Sequence, residues 1–157
     1  MNNDSQDIQS AAHRIFSAQC FNETWTYLDD TAPNISDMMS CAYASLYHWR
    51  HRDDKTQDNL LIAHWLLARA YEKAQQPHGC RLHADLCLGL AQDKLVTAQS
   101  RVSAYEVQAR AAALEQQIQV ANEFKAKAQA LLEQLKPELN ADEFQYYQDD
   151  INGITSV

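Results

Sequence analysis

The sequence predicts an all-α fold of about seven helices, and three observations support this prediction. The 157 residues include only 3 glycines and 3 prolines, whereas a β-sandwich or barrel needs a turn roughly every 8–12 residues. Apolar side chains recur at helical spacing along nearly the whole chain. Helix-capping residues and prolines separate these apolar segments. The chain is therefore predicted to form one helical domain, and an all-β fold is excluded.

The first two helices are predicted to form an N-terminal pair over residues 5–52. The first helix runs from Ser5 to Asp29, and Pro33 lies in the break that follows it. Ser36 is the predicted N-cap of the second helix, because its hydroxyl can accept a hydrogen bond from an unpaired backbone N–H of the first turn. The second helix extends to about Arg52.

The third predicted helix, Asp58 to Gln75, is apolar almost all round, which is typical of a helix covered on several sides. Either Thr56 or Asp58 itself caps it. Pro77 then interrupts the helix, and the fourth runs from Gly79 to Gln92. Residues 58–92 thus form a second helix pair.

The remaining helices each have a start or stop signal of their own. Ser100 caps a fifth helix at 101–115, a sixth at 119–135 ends before Pro137, and Asn140 with Glu143 forms a capping box for a last helix through Asp150. These give a third pair over 100–136 and a terminal capping helix over 140–152. The acidic end is expected to be a solvated face, or its aromatic side chains cap the array, and the tail from Gly153 is expected to fray.

Charge and composition limit the function. The formal net charge is -8, which disfavours a nucleic-acid binder that works by neutralising phosphates. The polar, acidic start is unlike a secretory signal, and the most apolar segment is shorter than the roughly 20 residues that span a bilayer. A cytoplasmic protein with no membrane partner is therefore expected. Its four cysteines are expected to be reduced, buried thiols: Cys20, Cys41, Cys80 and Cys87.

The third helix pair is a degenerate copy of the second at an offset of 41 residues. The matched positions mostly hold small or identical residues: Ala68 with Ala109, Arg69 with Arg110, Tyr71 with Ala112, Cys80 with Ala121 and Cys87 with Ala128. Small residues at matching positions let the two helices of a pair approach closely.

The best pair resembles the tetratricopeptide (TPR) repeat. Leu67-Ala68-x-x-Tyr71 followed by Cys80, Ala84 and Cys87 carries this resemblance, although the TPR period is about 34 residues. The chain is also similar to uncharacterised bacterial TPR-like proteins in four ordered motifs: His48-Trp49, Trp65 to Tyr71, His83 to Leu88 and Ala104 to Ala111. The resemblance implies a short α-α superhelix whose first helices line a concave groove.

By this resemblance, the groove-facing residues are Ile62, Trp65, Arg69 and Glu72 in one pair and Ser103, Glu106, Arg110 and Ala113 in the next. Arg69 and Arg110 would then point the same way and hold a carboxylate of a partner. The alternative is that Glu72 and Glu106 form ordinary ion pairs with them along each helix. Trp65 is either an aromatic anchor for the partner or a core residue.

The predicted function is non-catalytic: a module that binds a protein or peptide and needs no cofactor. Its predicted binding residues are Trp65, Arg69, Glu72, Glu106 and Arg110. One alternative is a self-associating homodimer, because a short array leaves an apolar end. A less favoured one is a metal or enzymatic site on the helix face that carries Cys80, His83 and Cys87. His48, Trp49 and His51 form a cluster that is a further candidate binding site, a polar edge near the end of the second helix. The simpler interpretation is that Trp49 packs on the third helix and His48 bonds a backbone carbonyl.

Overall fold

The computed structural model describes residues 3–154, with side chains from residue 6 onward. Within that range the protein is all-α, as predicted, and contains no strand. The seven helices are α1 (Asn3–Asp29), α2 (Ile35–His51), α3 (Gln57–Lys73), α4 (Pro77–Leu90), α5 (Ala98–Leu114), α6 (Ile118–Leu135) and α7 (Ala141–Asn152). No helix in this range combines the length and apolarity needed to cross a membrane.

The helices pack as three successive pairs followed by α7. α1 packs mainly against α2, α3 against α4, and α5 against α6. The first helices of the pairs are also neighbours, because α3 contacts both α1 and α5. α7 lies on α6 and α5. This order of packing is solenoid-like. Both α3 and α5 lie in the interior, whereas the sequence predicted a buried position for α3 only.

The 41-residue repeat is visible in the helix boundaries. α3 begins at Gln57 and α5 at Ala98, and the two helices end at Lys73 and Leu114, so both ends are separated by the same offset. A threonine caps each helix: the hydroxyls of Thr56 and Thr97 accept hydrogen bonds from backbone N–H groups three residues later. The two helices therefore start and stop by the same local chemistry.

The turns that follow α3 and α5 are also equivalent. Gln75 has φ 55° and Gln116 has φ 62°, the left-handed conformation that commonly ends a helix. The next backbone N–H then donates to the carbonyl five residues back, from Gln76 to Tyr71 at 3.0 Å and from Gln117 to Ala112 at 2.8 Å. Such a turn reverses the chain tightly, which sets the second helix of each pair against the first.

The second helices bury small or slender side chains at corresponding positions. These are Cys80, Ala84 and Cys87 in α4, Ala121 and Ala128 in α6, and Met38, Ala42 and Ser45 in α2. The α2 set has the same spacing of four and three residues as the α4 set. The N-terminal pair is thus a third variant of the same unit.

Three predicted helix starts were wrong by two or three residues. Asn34 rather than Ser36 caps α2, and its side-chain oxygen accepts from the Ser36 N–H at 3.0 Å. Thr97 rather than Ser100 caps α5. α4 begins at Pro77 instead of after it, because the first position of a helix needs no backbone N–H and suits the fixed φ of proline.

The end of the chain is packed rather than frayed. Ile154 is only 3% exposed and joins Ile151 in an apolar cluster with α5 and α6. The Asn140/Glu143 capping box at the start of α7 is confirmed. The expectation of a frayed tail was therefore wrong at Gly153 and Ile154, and residues 155–157 lie outside the described range.

Candidate binding groove

The first helices enclose a cleft of about 690 Å³ near their C-terminal ends. Its lining combines apolar and charged side chains with the end of the chain: Trp25 and Leu28 of α1, Arg69, Glu72 and Lys73 of α3, Arg110, Ala113 and Leu114 of α5, and Gly153. Four of these are residues that the sequence placed on the groove. We call the group formed by Glu72, Glu106, Asp150, Arg69 and Arg110 the arginine–carboxylate cluster.

Arg110 is the buried centre of the arginine–carboxylate cluster. Its Nε donates to the Glu106 carboxylate, and its Nη1 donates to both oxygens of Glu72 at 3.0 and 3.1 Å. The same guanidinium donates to two backbone carbonyls at the chain end, those of Asp150 at 2.7 Å and Gly153 at 3.3 Å. Arg110 therefore ties α5 to α3 and to the end of α7.

Arg69 completes the cluster from α3. Its Nη1 donates to the Asp150 carboxylate at 2.8 Å and lies 3.5 Å from a Glu106 oxygen. Its Nε lies 3.6 Å from Glu72. The ion pairs expected along each helix are thus present, and they are joined across α3, α5 and α7 into one network.

Trp65 lies beneath this network and is only 2% exposed. Its Nε1 donates to Glu106 at 2.7 Å, and its ring packs against Trp25 with centroids 5.6 Å apart. The Arg69 guanidinium lies over both rings. The structure therefore places Trp65 in the core, where it orients a carboxylate, and leaves Trp25 as the tryptophan that lines the cleft.

The cluster contains three carboxyl groups and two guanidiniums. Burial opposes the charge on Arg110, but the carboxylates of Glu106 and Glu72 outweigh it and raise the pKa of this guanidinium. Burial and the nearby Glu106 raise the pKa of the Asp150 carboxyl above its usual range. Asp150 thus takes up a proton more readily than an exposed aspartate does.

All five predicted binding residues meet at this one place, but the sequence did not predict that the chain end joins them. Asp150 was expected on a solvated face, and its side chain is instead largely buried in an ion pair with Arg69. A signal was present: Tyr147, Ile151 and Ile154 recur at spacings of four and three, which marks an inward face beside Asp150.

The second candidate, the Cys80, His83 and Cys87 face, does not form a metal site. The Cys87 thiol donates to the Leu61 carbonyl, and the Nδ1 atoms of His83 and His64 lie 2.9 Å apart. Burial raises the pKa of Cys80 to about 12, so this thiol is protonated at neutral pH. Within the described part of the chain, no three His, Cys, Asp or Glu side chains converge to hold a metal ion.

The third candidate, the cluster at the end of α2, is an aromatic stack. His48 is joined through Nδ1 to Nδ1 of His13 at 2.9 Å. His51, rather than His48 as expected, bonds a backbone carbonyl, that of Tyr47, at 2.7 Å. Trp49 packs against the main core, as the simpler reading predicted.

No family profile, curated protein or solved structure matches this chain. The likeness to tetratricopeptide repeats therefore remains a prediction from the sequence motifs, and the candidate function depends on the geometry of the groove.

Proposed function

We propose that the protein is a non-catalytic binding module that takes a protein or peptide segment in the cleft on its first helices. The cleft of about 690 Å³ is within the range of roughly 300–1,000 Å³ that is common for ligand sites. Trp25, Leu28 and Leu114 offer apolar contact, and Lys73 and Glu72 offer polar contact at the same place. This mixture suits a peptide, whose side chains and backbone present both kinds of surface.

The observation that carries this proposal is that the groove already holds a peptide segment. Residues 150–153 present one carboxylate and two backbone carbonyls to Arg69 and Arg110, at distances from 2.7 to 3.3 Å. Every peptide segment offers backbone carbonyls, and a segment with an acidic side chain or a free C-terminus also offers a carboxylate. The arginine pair thus binds peptide acceptors within the chain, and the open part of the cleft lies beside it.

Because the end of α7 occupies Arg69 and Arg110, we propose that other residues of the cleft contact the partner. The guanidiniums of Arg69 and Arg110 are engaged by intrachain acceptors, so they shape the floor of the groove and hold the end of α7. The partner contacts fall to the residues around the open space, Trp25, Leu28 and Lys73.

Site-specific photocrosslinking in the native host tests the proposal. A benzoylphenylalanine is placed at Asp29, an exposed residue that lines the cleft, and in a matched protein at Asn122, an exposed residue of α6. A covalent adduct is expected from position 29 and not from position 122. It is expected to disappear with Lys73→Glu at the cleft and to persist with Lys94→Glu in the exposed α4–α5 loop. Equal labelling from both positions would contradict the proposal.

Self-association is a second candidate, favoured by apolar side chains on the outer surface. Leu82 of α4 is 57% exposed, and Leu86 of the same helix and Tyr47 of α2 are also exposed. Light scattering at micromolar concentration separates the two ideas. A dimer mass that persists on dilution supports self-association, and a monomer mass removes it.

A further inference from the structure

A second cleft, of about 520 Å³, lies between the N-terminal part of α1 and the end of α2, away from the groove. Its charged lining consists of three cationic side chains, Arg50, Arg52 and Lys55, and one carboxylate, Asp53. A local excess of positive charge is unusual in a chain whose formal net charge is -8. We call this cleft the basic pocket.

Two of the charged residues around the basic pocket are neutralised by close partners. Arg52 donates to both oxygens of Asp54 at 2.8 and 2.7 Å. Asp53 accepts from Arg14 at 2.8 Å on each oxygen. These two pairs cancel in charge and leave the net charge of the pocket to its other members.

Arg50 and Lys55 supply that net charge. Neither forms an ion pair with a carboxylate among residues 6–154. Arg50 is exposed, and its Nη2 lies 3.4 Å from Nε2 of His64, which uses one of its five N–H donors. Lys55 donates to the Arg52 carbonyl at 3.2 Å. Two positive charges with unused donors thus line one concave site.

The neutral lining adds hydrogen-bonding groups beside these charges. Gln6, Gln9, Ser10 and His13 of α1 and His51 of α2 line the same pocket. The Ser10 hydroxyl donates to Asp53 at 3.3 Å, so its oxygen remains able to accept a bond from a ligand hydroxyl. The pocket therefore offers charge and polar contacts together.

We propose that the basic pocket binds a phosphate group, as inorganic phosphate or as a small phosphate monoester. A phosphate carries close to two negative charges at neutral pH, which matches Arg50 and Lys55, the two cations of the pocket that have no carboxylate partner among residues 6–154. A carboxylate carries only one and is matched by a single bidentate arginine. The pocket volume also accommodates an organic group attached to the phosphate.

Titrations of the full-length protein at constant ionic strength test this proposal. Inorganic phosphate, glycerol phosphate and acetate are each added up to about 20 mM while Arg side-chain and backbone NMR signals are followed. Both phosphates are expected to shift signals around Arg50 and Lys55 in a saturable way, and acetate is not. Tighter binding of glycerol phosphate identifies a monoester as the better ligand, and equal binding identifies phosphate itself.

Charge-matched variants make the test specific. Arg50→Gln and, separately, Lys55→Gln are each expected to weaken phosphate binding about tenfold, whereas Lys94→Gln in the exposed α4–α5 loop leaves it unchanged. Lys55 is exposed, and among the described residues its ammonium bonds a loop carbonyl alone, so its variant keeps the test valid if Arg50→Gln disturbs His64. The proposal is overturned by an absence of saturable shifts, or by unaltered affinity in both pocket variants.

Discussion

Glu106 shows how a single buried charge organises the groove. Its carboxylate is 1% exposed and receives hydrogen bonds from Trp65 and Arg110, with Arg69 close by. A buried carboxylate is tolerable only when it is paired and fully hydrogen-bonded. The groove floor is therefore coupled to the stability of the whole fold.

The first prediction is that Arg110→Ala destabilises the protein by about 3 kcal/mol or more, since Glu106 loses its closest counter-ion while remaining buried. Lys94→Ala, in the exposed α4–α5 loop, is the control and is expected to change stability by less than about 0.5 kcal/mol. Urea unfolding at pH 7 gives both values. A loss below about 1 kcal/mol for Arg110→Ala would mean that Arg69 alone compensates Glu106.

The second prediction is that alanine substitutions at two glycines of α4 change the stability of the protein in opposite directions. A Cβ at Gly79 would lie 2.3 Å from the Tyr71 ring, whose hydroxyl is hydrogen-bonded to Tyr43 at 2.7 Å. A Cβ at Gly89 would meet nothing within 4 Å. Gly79→Ala is expected to cost about 1–3 kcal/mol through overpacking, and Gly89→Ala to stabilise its helix by about 0.5–1 kcal/mol. Thermal unfolding of the two variants checks the contrast, which fails if both shift the melting temperature in the same direction.

A directional hydrogen-bond chain crosses the interior from Arg50. Arginine can only donate, so Nε2 of His64 accepts and its Nδ1 carries the proton. His64 then donates to Nδ1 of His83 at 2.9 Å, and Nε2 of His83 faces the Tyr43 hydroxyl at 3.4 Å. Tyr43 in turn is paired with Tyr71. One exposed arginine thus fixes the tautomers of two buried histidines.

Acid sensitivity follows from this chain and is the third prediction. Burial lowers the pKa of both His64 and His83 to about 4, whereas an unfolded histidine titrates near 6.5. The unfolded state therefore binds more protons between these values, so stability is present above about pH 6.5 and is lost as the pH falls toward 4. The loss is expected to be on the order of 2 kcal/mol or more, measured by urea unfolding at pH 7.5 and 4.5.

The control for this pH dependence is His83→Gln, which removes one titrating group and keeps a polar side chain. Its unfolding free energy is expected to vary less with pH over the same interval. A variant with the same slope as the parent protein would show that other groups cause the acid sensitivity. His48, whose pKa is also lowered, chiefly by burial, is the next group to replace.

At the scale of elements, α7 is held by a few specific contacts. Ile151 and Ile154 are buried against α5 and α6, and Asp150 binds Arg69. The other acidic residues of the helix are exposed. The position of α7 therefore depends on this ion pair, on the hydrogen bonds from Arg110 to backbone carbonyls at the end of the helix, and on the apolar contact.

The fourth prediction is that Asp150→Asn loosens α7 without unfolding the domain. The ion pair with Arg69 is lost, so amide hydrogen exchange over residues 145–154 is expected to quicken about tenfold while α3 is unaffected. Asp149→Asn removes the same charge at the neighbouring exposed position and is expected to leave exchange unchanged. Equal exchange in the two variants would show that the ion pair between Asp150 and Arg69 does not contribute to holding α7.

The existence of each helix could be predicted from local signals in the sequence. The N-cap residue of a helix could be predicted only where no second capping residue lies nearby. The Asn140/Glu143 box was identified correctly. Before α3 the sequence left Thr56 and Asp58 as alternatives, and Thr56 is the cap. Asn34 and Ser36 compete within three residues, as do Thr97 and Ser100, and local chemistry does not rank them. The packing of the helix against its neighbours decides which one caps.

At the scale of the whole molecule, the groove could be predicted only in part. The resemblance to tetratricopeptide repeats, rather than helical spacing alone, placed Arg69 and Arg110 on one face of neighbouring helices. The arrival of Asp150 at that face depends on how α7 turns back after Pro137, which is set by contacts of Ile151 and Ile154 with α5 and α6. Contacts between segments far apart in sequence leave only a weak trace in local patterns.

The equal spacing of α3–α4 and α5–α6 has a consequence for how this architecture can grow. Residues 56–96 form one block, from the Thr56 cap to the residue before the Thr97 cap, and the next block starts with the same chemistry. A second copy of residues 56–96 inserted before Thr97 would have the same threonine cap, the same turn after its first helix and the same small side chains on its second helix. We therefore expect the fold to tolerate whole additional copies of this block, each of which would add one more first helix beside α3 and α5.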